Sequence, residues 1–578
     1  MKKIKGSLAF NNCLPYLAIF LSILALLYVQ IMGHITIIGS DTYFHLARFY
    51  DIKKQILTGS FSWFQTNFTF EQTGRIINAL YGPLFAYCNA FLLLLVRSWF
   101  QYEVITNILV DFIAAAGMYK LAVKVKTPKI IAVILSLIYI NIGMIPAWTE
   151  GMNFSACAGV VIPYLLMQVV NMLEDKERPI HVISLATCIS LIGNIHLLST
   201  IMISLILIPI VIVSFFRTQD KKWYLVSLIK AIILTFILTA SVWGGLLVVY
   251  SKNMIATPLA YDLHGAVIGL SKFQTVRQFI LPSTVILFVG QGIYAFLNWK
   301  KQKNNLIITS LGLIYLLLST NYLLNWGWVQ NNWPIIASIF QFPFRFVTIA
   351  YPVLLLGIAY SFSTVNFEGT RIKKWNIASV LLLFAALQAS FATYKFISDI
   401  YSGQYLTNSV SALTKTSKKP GYVRDITESQ AGIFNELKNI QPDYLPTNKG
   451  KKKAGNVVLK YDSLLLLAER EKINKKINKD GSMTLTWKST QKSKIVLPIV
   501  MYRQSRLEVN GNKHPMITQN EIGVPTVWQN KGRNSATLKF IIPKWFLLLL
   551  WASVIAWTVL IGFYIKNFAS RCMLALKR

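Results

Sequence analysis

Asp41, His45 and Arg48 follow one another at helical spacing in the segment GSDTYFHLARF, residues 39–49. Intervals of four and three residues place all three side chains on one face of a helix. A carboxylate can act as a general base, and an arginine can bind a phosphate through two parallel hydrogen bonds. Because acids also cap helix N-termini, the segment predicts a cap, a base or both at Asp41.

A second group of candidate residues precedes a later apolar run. Arg345 lies within QFPFRF, residues 341–346, where aromatic neighbours would shield its charge from water. We predict that Arg345 binds a phosphate; the alternative is an arginine that extends its charge to a membrane interface. Trp328 and Trp333 are predicted either to anchor that interface or to form platforms for a sugar ring or a lipid.

The composition indicates that these residues belong to a membrane protein. The 578 residues are 54% hydrophobic and only 14% charged, whereas soluble domains carry about 25% charged residues. The net charge of +35 comes from basic residues clustered between apolar runs, which orients a chain in a membrane and does not indicate a nucleic-acid partner. All cysteines lie in or beside apolar runs, so we expect no disulfide framework, and no spacing indicates a metal site.

The apolar runs predict a mostly α-helical, polytopic fold with about twelve transmembrane helices. Three lysines before the first run, with no cleavage site after it, indicate an uncleaved anchor and a cytoplasmic N-terminus. The connections then alternate between basic loops, predicted to be cytoplasmic, and loops without Lys or Arg, predicted to be outside. This alternation fits twelve runs that begin near residues 8, 104, 129, 155, 181, 199, 224, 279, 305, 346, 375 and 545.

One further apolar run, residues 77–96, is long enough to cross but would reverse every later loop. We therefore predict that it lies along the outer membrane surface. Residues 34–103 then form one long outer loop with two juxtamembrane helices, roughly 42–58 and 80–97.

The chain divides into a transmembrane domain (1–395), an extracytoplasmic β-rich domain (396–541), and a last transmembrane helix with a basic cytoplasmic tail (542–578). Alternating segments such as MTLTWKS and ATLKFII predict strands in the second part, and Asn510-Gly511 predicts a hairpin turn. KGKKK, residues 449–453, is predicted to be an exposed loop. The β-rich domain has 24 Lys and Arg against 11 Asp and Glu, a net charge of +13, which suits an anionic environment.

The order of GSDTYFHLARF, YGPLFAY (81–87), QFPFRF and DYLP (443–446) along such a chain resembles the GT-C superfamily of membrane glycosyltransferases. It is more similar still to the predicted bacterial membrane proteins labelled "6-pyruvoyl-tetrahydropterin synthase-related" and to YfhO-like proteins. The resemblance implies a bacterial cell-membrane enzyme that moves a sugar from a polyprenyl-phosphate donor to a cell-envelope glycan or polymer outside the membrane. By position, Asp41 would be the catalytic base of this inverting transfer.

The sequence departs from that family in two respects. Many relatives carry two acids close together in the first outer loop. Here the residue four positions after Asp41 is His45, and the next acid, Asp51, comes ten positions after Asp41. The Trp-Trp-Asp motif of the oligosaccharyltransferases is also absent. Both departures argue against a metal-bound mechanism and a peptide acceptor, so we predict no firm cofactor and leave a divalent cation as an option. The predicted substrate-binding residues are His45, Arg48, Arg345, Trp328 and Trp333.

Two other classes of function fit the chain. Twelve spans suit a transporter or flippase for a lipid-linked or cell-wall precursor, and a basic outer domain suits a non-catalytic assembly protein. We see no inverted repeat, and a long first outer loop with a folded outer domain is uncommon in transporters. The predicted partners are the lipid-linked donor, the polymer acceptor and membrane lipids.

Overall fold

The computed structural model describes residues 2–39, 41–258, 261–269, 281–364, 372–401, 412–414, 422–439, 441–447, 454–466 and 473–577. The chain is mostly helical, with a small β region near the C-terminus. The helices are, in chain order, α1 (Lys2–Leu26), α2 (Tyr28–Gly33), α3 (Thr42–Thr58), α4 (Pro83–Leu95), α5 (Trp99–Lys124), α6 (Lys129–Asn141), α7 (Ala147–Gly151), α8 (Phe154–Glu174), α9 (Val182–Ile195), α10 (Leu197–Arg217), α11 (Lys221–Leu238), α12 (Ala240–Tyr250), α13 (Pro282–Leu297), α14 (Lys303–Leu318), α15 (Trp326–Asn332), α16 (Pro334–Phe340), α17 (Val347–Ser363), α18 (Ile372–Tyr401), α19 (Tyr422–Glu428), α20 (Gly432–Glu436), α21 (Ala454–Tyr461) and α22 (Lys544–Lys577).

Six helical segments among the described residues are long and apolar enough to cross a membrane: Trp99–Lys124, Phe154–Glu174, Leu197–Arg217, Pro343–Ser363, Asn376–Asp399 and Lys544–Ser570. A seventh is obtained if α11 and α12, bent by 61° at their junction, form one span. The other predicted spans correspond to shorter apolar helices of 10–17 residues. The structure therefore supports a membrane protein with several spans and leaves the number twelve as a prediction.

Helix α17 forms the centre of the helical bundle and leads directly from the predicted phosphate-binding segment. Its residues from Val347 to Phe362 are buried, and it packs against α5, α6, α8, α13 and α14. A closed ring of hydrogen bonds links α13, α14 and α17: Gln291 Nε2 donates to Asn305 Oδ1 (2.9 Å), Asn305 Nδ2 to Ser361 Oγ (2.9 Å), and Ser361 Oγ to Gln291 Oε1 (2.8 Å). Because each polar group is satisfied, the ring fixes how the three helices pack.

The two helices predicted in the first outer loop are present. Helix α3 begins and ends where the sequence predicts, and α4 begins three residues later than predicted. The later start has a local cause: Gly82 adopts φ +52° and Pro83 occupies the first helical turn. A Cβ atom at Gly82 would lie 2.6 Å from the carbonyl oxygen of Ile195, so the loop approaches the end of α9 closely.

The described residues of the β region form nine short strands, all paired antiparallel. A two-stranded sheet has the order β1-β2, a four-stranded sheet the order β3-β4-β9-β6, and a three-stranded sheet the order β5-β8-β7. The strands are β1 (Ala412–Thr414), β2 (Leu437–Asn439), β3 (Ile473–Ile477), β4 (Met483–Ser489), β5 (Ser493–Val496), β6 (Ser505–Val509), β7 (Thr518–Gln519), β8 (Pro525–Gln529) and β9 (Gly532–Phe540).

The predicted strands are confirmed where the alternation is strongest, at β4 and β9. Asn510 and Gly511 both adopt positive φ, 50° and 80°, and form the predicted hairpin turn, because Val509 and Asn512 exchange backbone hydrogen bonds of 3.0 and 2.9 Å across it. The chain after the turn adds only this one bridge, and β6 pairs along its length with β9. The predicted loop 449–453 lies outside the described residues.

Residues 34–103, predicted to form the first outer loop, pack firmly against the β region. Residues 70–72 all adopt left-handed φ angles, which are costly for non-glycine residues. The Lys475 ammonium of β3 donates to the carbonyl oxygens of Glu71 (3.1 Å), Gln72 (2.8 Å) and Pro498 (2.9 Å), and so holds this turn against the sheet. Asn67 Nδ2 donates in the same way to Gly481 O (2.8 Å). These contacts make the loop and the β region one unit.

Candidate functional site

Asp41 stands at the N-cap position of α3, but its side chain makes no capping hydrogen bond. Its backbone N–H donates to Gly151 O (3.2 Å), and its carboxylate accepts a long hydrogen bond from Asn153 Nδ2 (3.4 Å). Gly39 lies so close to the backbone of Glu150 that any Cβ atom would overlap it. The segment is thus fixed against α7. The side chain of Asp41 is half-buried and does not take the capping role that its position suggests.

The environment of Asp41 alters its acidity. Burial raises its pKa to about 6, the positive charge of Arg345 lowers it, and the negative charge of Asp443 raises it. Arg345 and Asp443, both distant from Asp41 in sequence, therefore lie within electrostatic range of its carboxylate. A carboxylate with a pKa near 6 is still mostly ionised at pH 7 and is a stronger proton acceptor than an exposed aspartate.

Arg345 lies in a 3-10 turn, Pro343–Phe346, at the start of the span that contains α17. Its guanidinium lies over the Phe342 ring at 4.8 Å, and Nη1 donates to Phe340 O (2.9 Å). Nη2 reaches Gln341 Oε1 at 3.5 Å, and the buried Nε has no partner among the described residues. Gln341 itself adopts φ +62°. The arginine is thus held by neutral groups and keeps hydrogen-bonding capacity for an anion.

Asp443 lies about 400 residues after Asp41 in the sequence, in the segment DYLP, residues 443–446. Residues 445–447 pair with residues 254–256 through backbone hydrogen bonds of 2.8 and 2.7 Å. Tyr444 adopts φ +61°, and its carbonyl oxygen accepts from the Tyr502 hydroxyl (2.8 Å). A left-handed tyrosine is rare and persists where surrounding contacts enforce it. Burial raises the pKa of Asp443, and the charge of Arg75 lowers it.

Arg75 supports the segment that carries Asp443. It is fully buried between the rings of Phe70 (4.8 Å) and Tyr461 (5.0 Å), and Nη1 donates to Gln441 O (2.6 Å). Its Nε and Nη2 atoms have no hydrogen-bond partner in the part of the chain that the structure describes. A buried guanidinium favours a nearby negative charge, and this favours an ionised Asp443.

His45 and Arg48 share one face of α3, as predicted, but this face packs inward. Both side chains are at most 1% exposed. Arg48 donates from Nε to Asn78 Oδ1 (3.0 Å) and from Nη2 to Tyr81 O, and its Nη1 lies 3.1 Å from His45 Nδ1. Burial and the charge of Arg48 lower the pKa of His45 well below its usual value, so the neutral ring can accept from the guanidinium. The two residues therefore support the site from behind and present no surface to a ligand.

The Tyr81 ring connects this buried layer to the charged groups. Its centroid lies 5.6 Å from the His45 ring, and the guanidinium of Arg48 lies 4.8 Å from it. Burial raises the pKa of Tyr81, and the negative charge of Asp41 raises it further. Tyr261 lies near Arg345, because its ring centroid is 4.6 Å from that of Phe342, the ring over which the guanidinium lies. Burial and then the charges of Asp41 and Asp443 raise the pKa of Tyr261. Both tyrosines are candidate site residues that the sequence analysis did not single out.

Trp328 and Trp333 lie apart from the charged groups. Each is 51% exposed, and the two rings meet edge to face at 5.2 Å. Trp328 lies in α15 and Trp333 directly follows it. Helix α15 contacts the loop after Tyr261, where Leu263 N–H donates to Gln330 Oε1 (2.8 Å). The described contacts join neither tryptophan to Asp41, and the two rings form an exposed apolar surface.

Asp51, the next acid in the loop, has a structural role. It is fully buried, and its carboxylate accepts from the backbone N–H groups of Asn67 (2.9 Å) and Phe68 (2.6 Å) and from Gln55 Nε2 (2.6 Å). These bonds fix the turn after α3. The second carboxylate near Asp41 therefore comes from residue 443 and not from the first outer loop. No group of three metal-ligating side chains occurs among the described residues.

Comparison with known protein families gives no match, and no curated protein matches the chain either. The function must accordingly be inferred from the geometry of the charged groups.

Proposed function

We propose that the chain is a polytopic GT-C-like glycosyltransferase that uses Asp41 as a general base outside the membrane. The donor would be a polyprenyl-phosphate sugar and the acceptor a cell-envelope glycan or polymer. One observation carries the proposal: the Asp41 carboxylate does not cap its helix and lies within electrostatic range of Arg345 and Asp443. A base beside a cation is what transfer from a phosphate leaving group requires.

The reaction follows from the positions of these groups. Asp41 accepts the proton of the acceptor hydroxyl while that oxygen forms a bond to the anomeric carbon of the donor. The bond from this carbon to the phosphate oxygen breaks, and the lipid phosphate leaves with the electron pair, so the configuration inverts. Arg345 stabilises the negative charge that grows on the leaving oxygen. Trp328 and Trp333, both exposed, provide an apolar surface for the lipid chain.

His45 and Arg48 contribute through Tyr81 in this proposal, because their own hydrogen bonds are made within the protein. Asp443 supplies the second negative charge, which makes Asp41 a stronger base. No step requires a metal ion, although a divalent cation between a phosphate and two carboxylates is compatible with the same groups.

The proposed topology has twelve spans in a bacterial cell membrane, with both termini in the cytoplasm and residues 396–541 outside. It rests on the alternation of basic loops and on the apolar helices. In this topology α3 and α4 lie at the outer surface with the candidate site.

A cysteine-labelling experiment tests the topology. Lys513 lies in an exposed turn of the β region, so Lys513→Cys, in a chain without its native cysteines, is expected to react with a membrane-impermeant thiol reagent in intact cells. Lys301→Cys, in an exposed loop predicted to be cytoplasmic, serves as the matched control and should react only after lysis. Labelling of Lys513→Cys only after lysis would overturn the proposed orientation.

The pH dependence of transfer tests the coupling of the two acids. Since a base must be ionised, kcat/KM should fall as the pH drops through about 6, the pKa of Asp41. Asp443→Asn removes the negative charge that raises this pKa, so the acidic limb should move to lower pH. Asp425→Asn, at an exposed residue of α19, should leave the profile unchanged. An unchanged acidic limb in Asp443→Asn would contradict the coupling.

The alternative functions differ in the fate of the donor. A transferase in proteoliposomes consumes a lipid-linked sugar and releases lipid phosphate in the presence of an acceptor. A flippase moves the same molecule across the bilayer without consuming it, and an assembly protein does neither. Comparing lipid-linked sugars and envelope glycans in cells with and without the gene identifies the sugar. Unchanged levels of both would contradict the proposal.

A further inference from the structure

Five exposed basic side chains collect where α12 ends and α22 begins. The two helices pack together, because a Cβ atom at Gly244 would lie 3.3 Å from the Phe546 ring. Their ends lie at the same level, because Gln504 joins the residues beside them: its side-chain oxygen accepts from Asn253 Nδ2 (2.8 Å) and its backbone oxygen from Ile541 N–H (3.0 Å). We call this group the basic collar; it consists of Lys252, Arg503, Arg506, Lys539 and Lys544.

Aromatic side chains identify this level as a membrane interface. Tyr250, the last residue of α12, is 51% exposed, and Trp545, the second residue of α22, is 45% exposed. Tyrosine and tryptophan are enriched where a span meets the lipid headgroups. The candidate span Lys544–Ser570 begins at the same point. The basic collar accordingly lies at headgroup level.

Hydrogen bonds between the sheet and the helix ends hold the collar in place. Arg503 N–H donates to Asn253 Oδ1 (2.8 Å), directly after Lys252. Arg506 and Lys539 are paired residues of β6 and β9, so two like charges stand opposite each other on the exposed face. Such pairs destabilise a sheet unless an anion lies near.

The acids near the collar neutralise little of its charge. Lys539 Nζ forms an ion pair with Asp480 (2.6 Å), and both partners are about half exposed. Glu508, two residues after Arg506 on β6, is the other acid on this face of the four-stranded sheet. Three collar residues lie outside that sheet or at its edge, beside the helix ends. The rule that basic residues flank spans on the cytoplasmic side does not account for such a cluster on an outer domain.

We propose that the basic collar binds the phosphate headgroups of anionic phospholipids in the adjacent leaflet. The site goes beyond the proposed activity and does not depend on it. Each basic residue near an anionic surface contributes roughly a fivefold preference. The lipids would supply an anion beside Arg506, which stands opposite Lys539 and its partner Asp480, and would fix the height of the β region above the bilayer.

Lipid selectivity of the full-length protein in phosphatidylcholine bilayers tests this site. The association of spin-labelled phosphatidylglycerol is compared with that of spin-labelled phosphatidylcholine. We expect a several-fold preference for phosphatidylglycerol that weakens as salt is added. Replacing all five collar residues by Gln should reduce the preference to near one.

The matched control replaces five exposed basic residues at the far end of the β region, on β4, β5, β9 and the turns before β5 and β9: Lys488, Lys492, Lys494, Lys531 and Arg533. Arg533 lies six residues before Lys539 on β9, about 20 Å further from α22. This variant loses the same net charge but should keep the preference. Equal losses in both variants would mean that net charge alone attracts the lipid, and an unchanged collar variant would exclude the site. If the fivefold variant does not fold, Arg503→Gln with Lys544→Gln should lower the preference partway, and an unchanged preference there would equally reject the proposal.

Discussion

Purified Asp41→Asn protein is expected to melt like the wild type and to transfer sugar about 10²–10⁴-fold more slowly. Asparagine has nearly the same shape and caps helices about as well as aspartate, and the Asp41 side chain makes no capping bond to lose. The substitution therefore removes the proton acceptor and little else. The measurement is the initial rate of transfer from a lipid-linked donor, together with the melting temperature in detergent.

Asp51→Asn provides the matched comparison within the same helix. Its carboxylate accepts three hydrogen bonds that fix the turn after α3, so the change should lower the melting temperature by weakening structure. The two variants thus separate a catalytic loss from a structural loss. Asp41→Asn protein that transfers sugar at the wild-type rate would end the proposal for the base, whatever the effect at Asp51.

Arg345→Lys is expected to reduce transfer about 10²–10³-fold, the usual loss when a donor to a developing negative charge is removed. The guanidinium is oriented by Phe340 O and by the Phe342 ring, and lysine has neither the planar fork nor its fixed direction. The loss should appear in kcat as well as in KM, because the leaving phosphate carries most charge in the transition state.

A second variant at this position separates charge from geometry. Arg345→Gln removes the cation that lowers the pKa of Asp41, so the acidic limb of the rate profile should move to higher pH, whereas Arg345→Lys should leave it nearly in place. Arg533→Lys, at an exposed arginine of β9 outside the basic collar, serves as the control for a general effect of the substitution. Near-normal transfer by Arg345→Lys would identify Arg345 as an interfacial anchor.

The local structure around Asp41 was predictable from sequence, and its surroundings were not. The 3.6-residue period gave the bounds of α3 and put His45 and Arg48 on one face. Periodicity does not reveal which face packs inward, and here α3 turns that face onto Tyr81 and Phe154. Two residues predicted to bind substrate are buried supports for this reason.

Asp443, the second acid near Asp41, shows more clearly what sequence spacing cannot predict. Spacing within the first outer loop pointed only to Asp51, which the structure uses to hold a turn. Asp443 was visible in the segment DYLP, but no local pattern connects it with residue 41. Its placement depends on pairing with residues 254–256 and on the left-handed Tyr444, both of which are long-range features. The signal that could have found it is an isolated acid between Pro442 and Pro446 in a strand-poor stretch.

The pairing of residues 445–447 with 254–256 has a consequence for biosynthesis. About 400 residues separate Asp41 from Asp443, and a ribosome needs roughly 20–80 s to make them. During this interval the first helices already lie in the membrane with only part of the charged group. A nascent or truncated chain therefore holds Asp41 without its partner acid, and the complete arrangement forms only once the late segment has been delivered and docked. The order of translation therefore delays completion of the proposed site until synthesis of the chain is nearly finished.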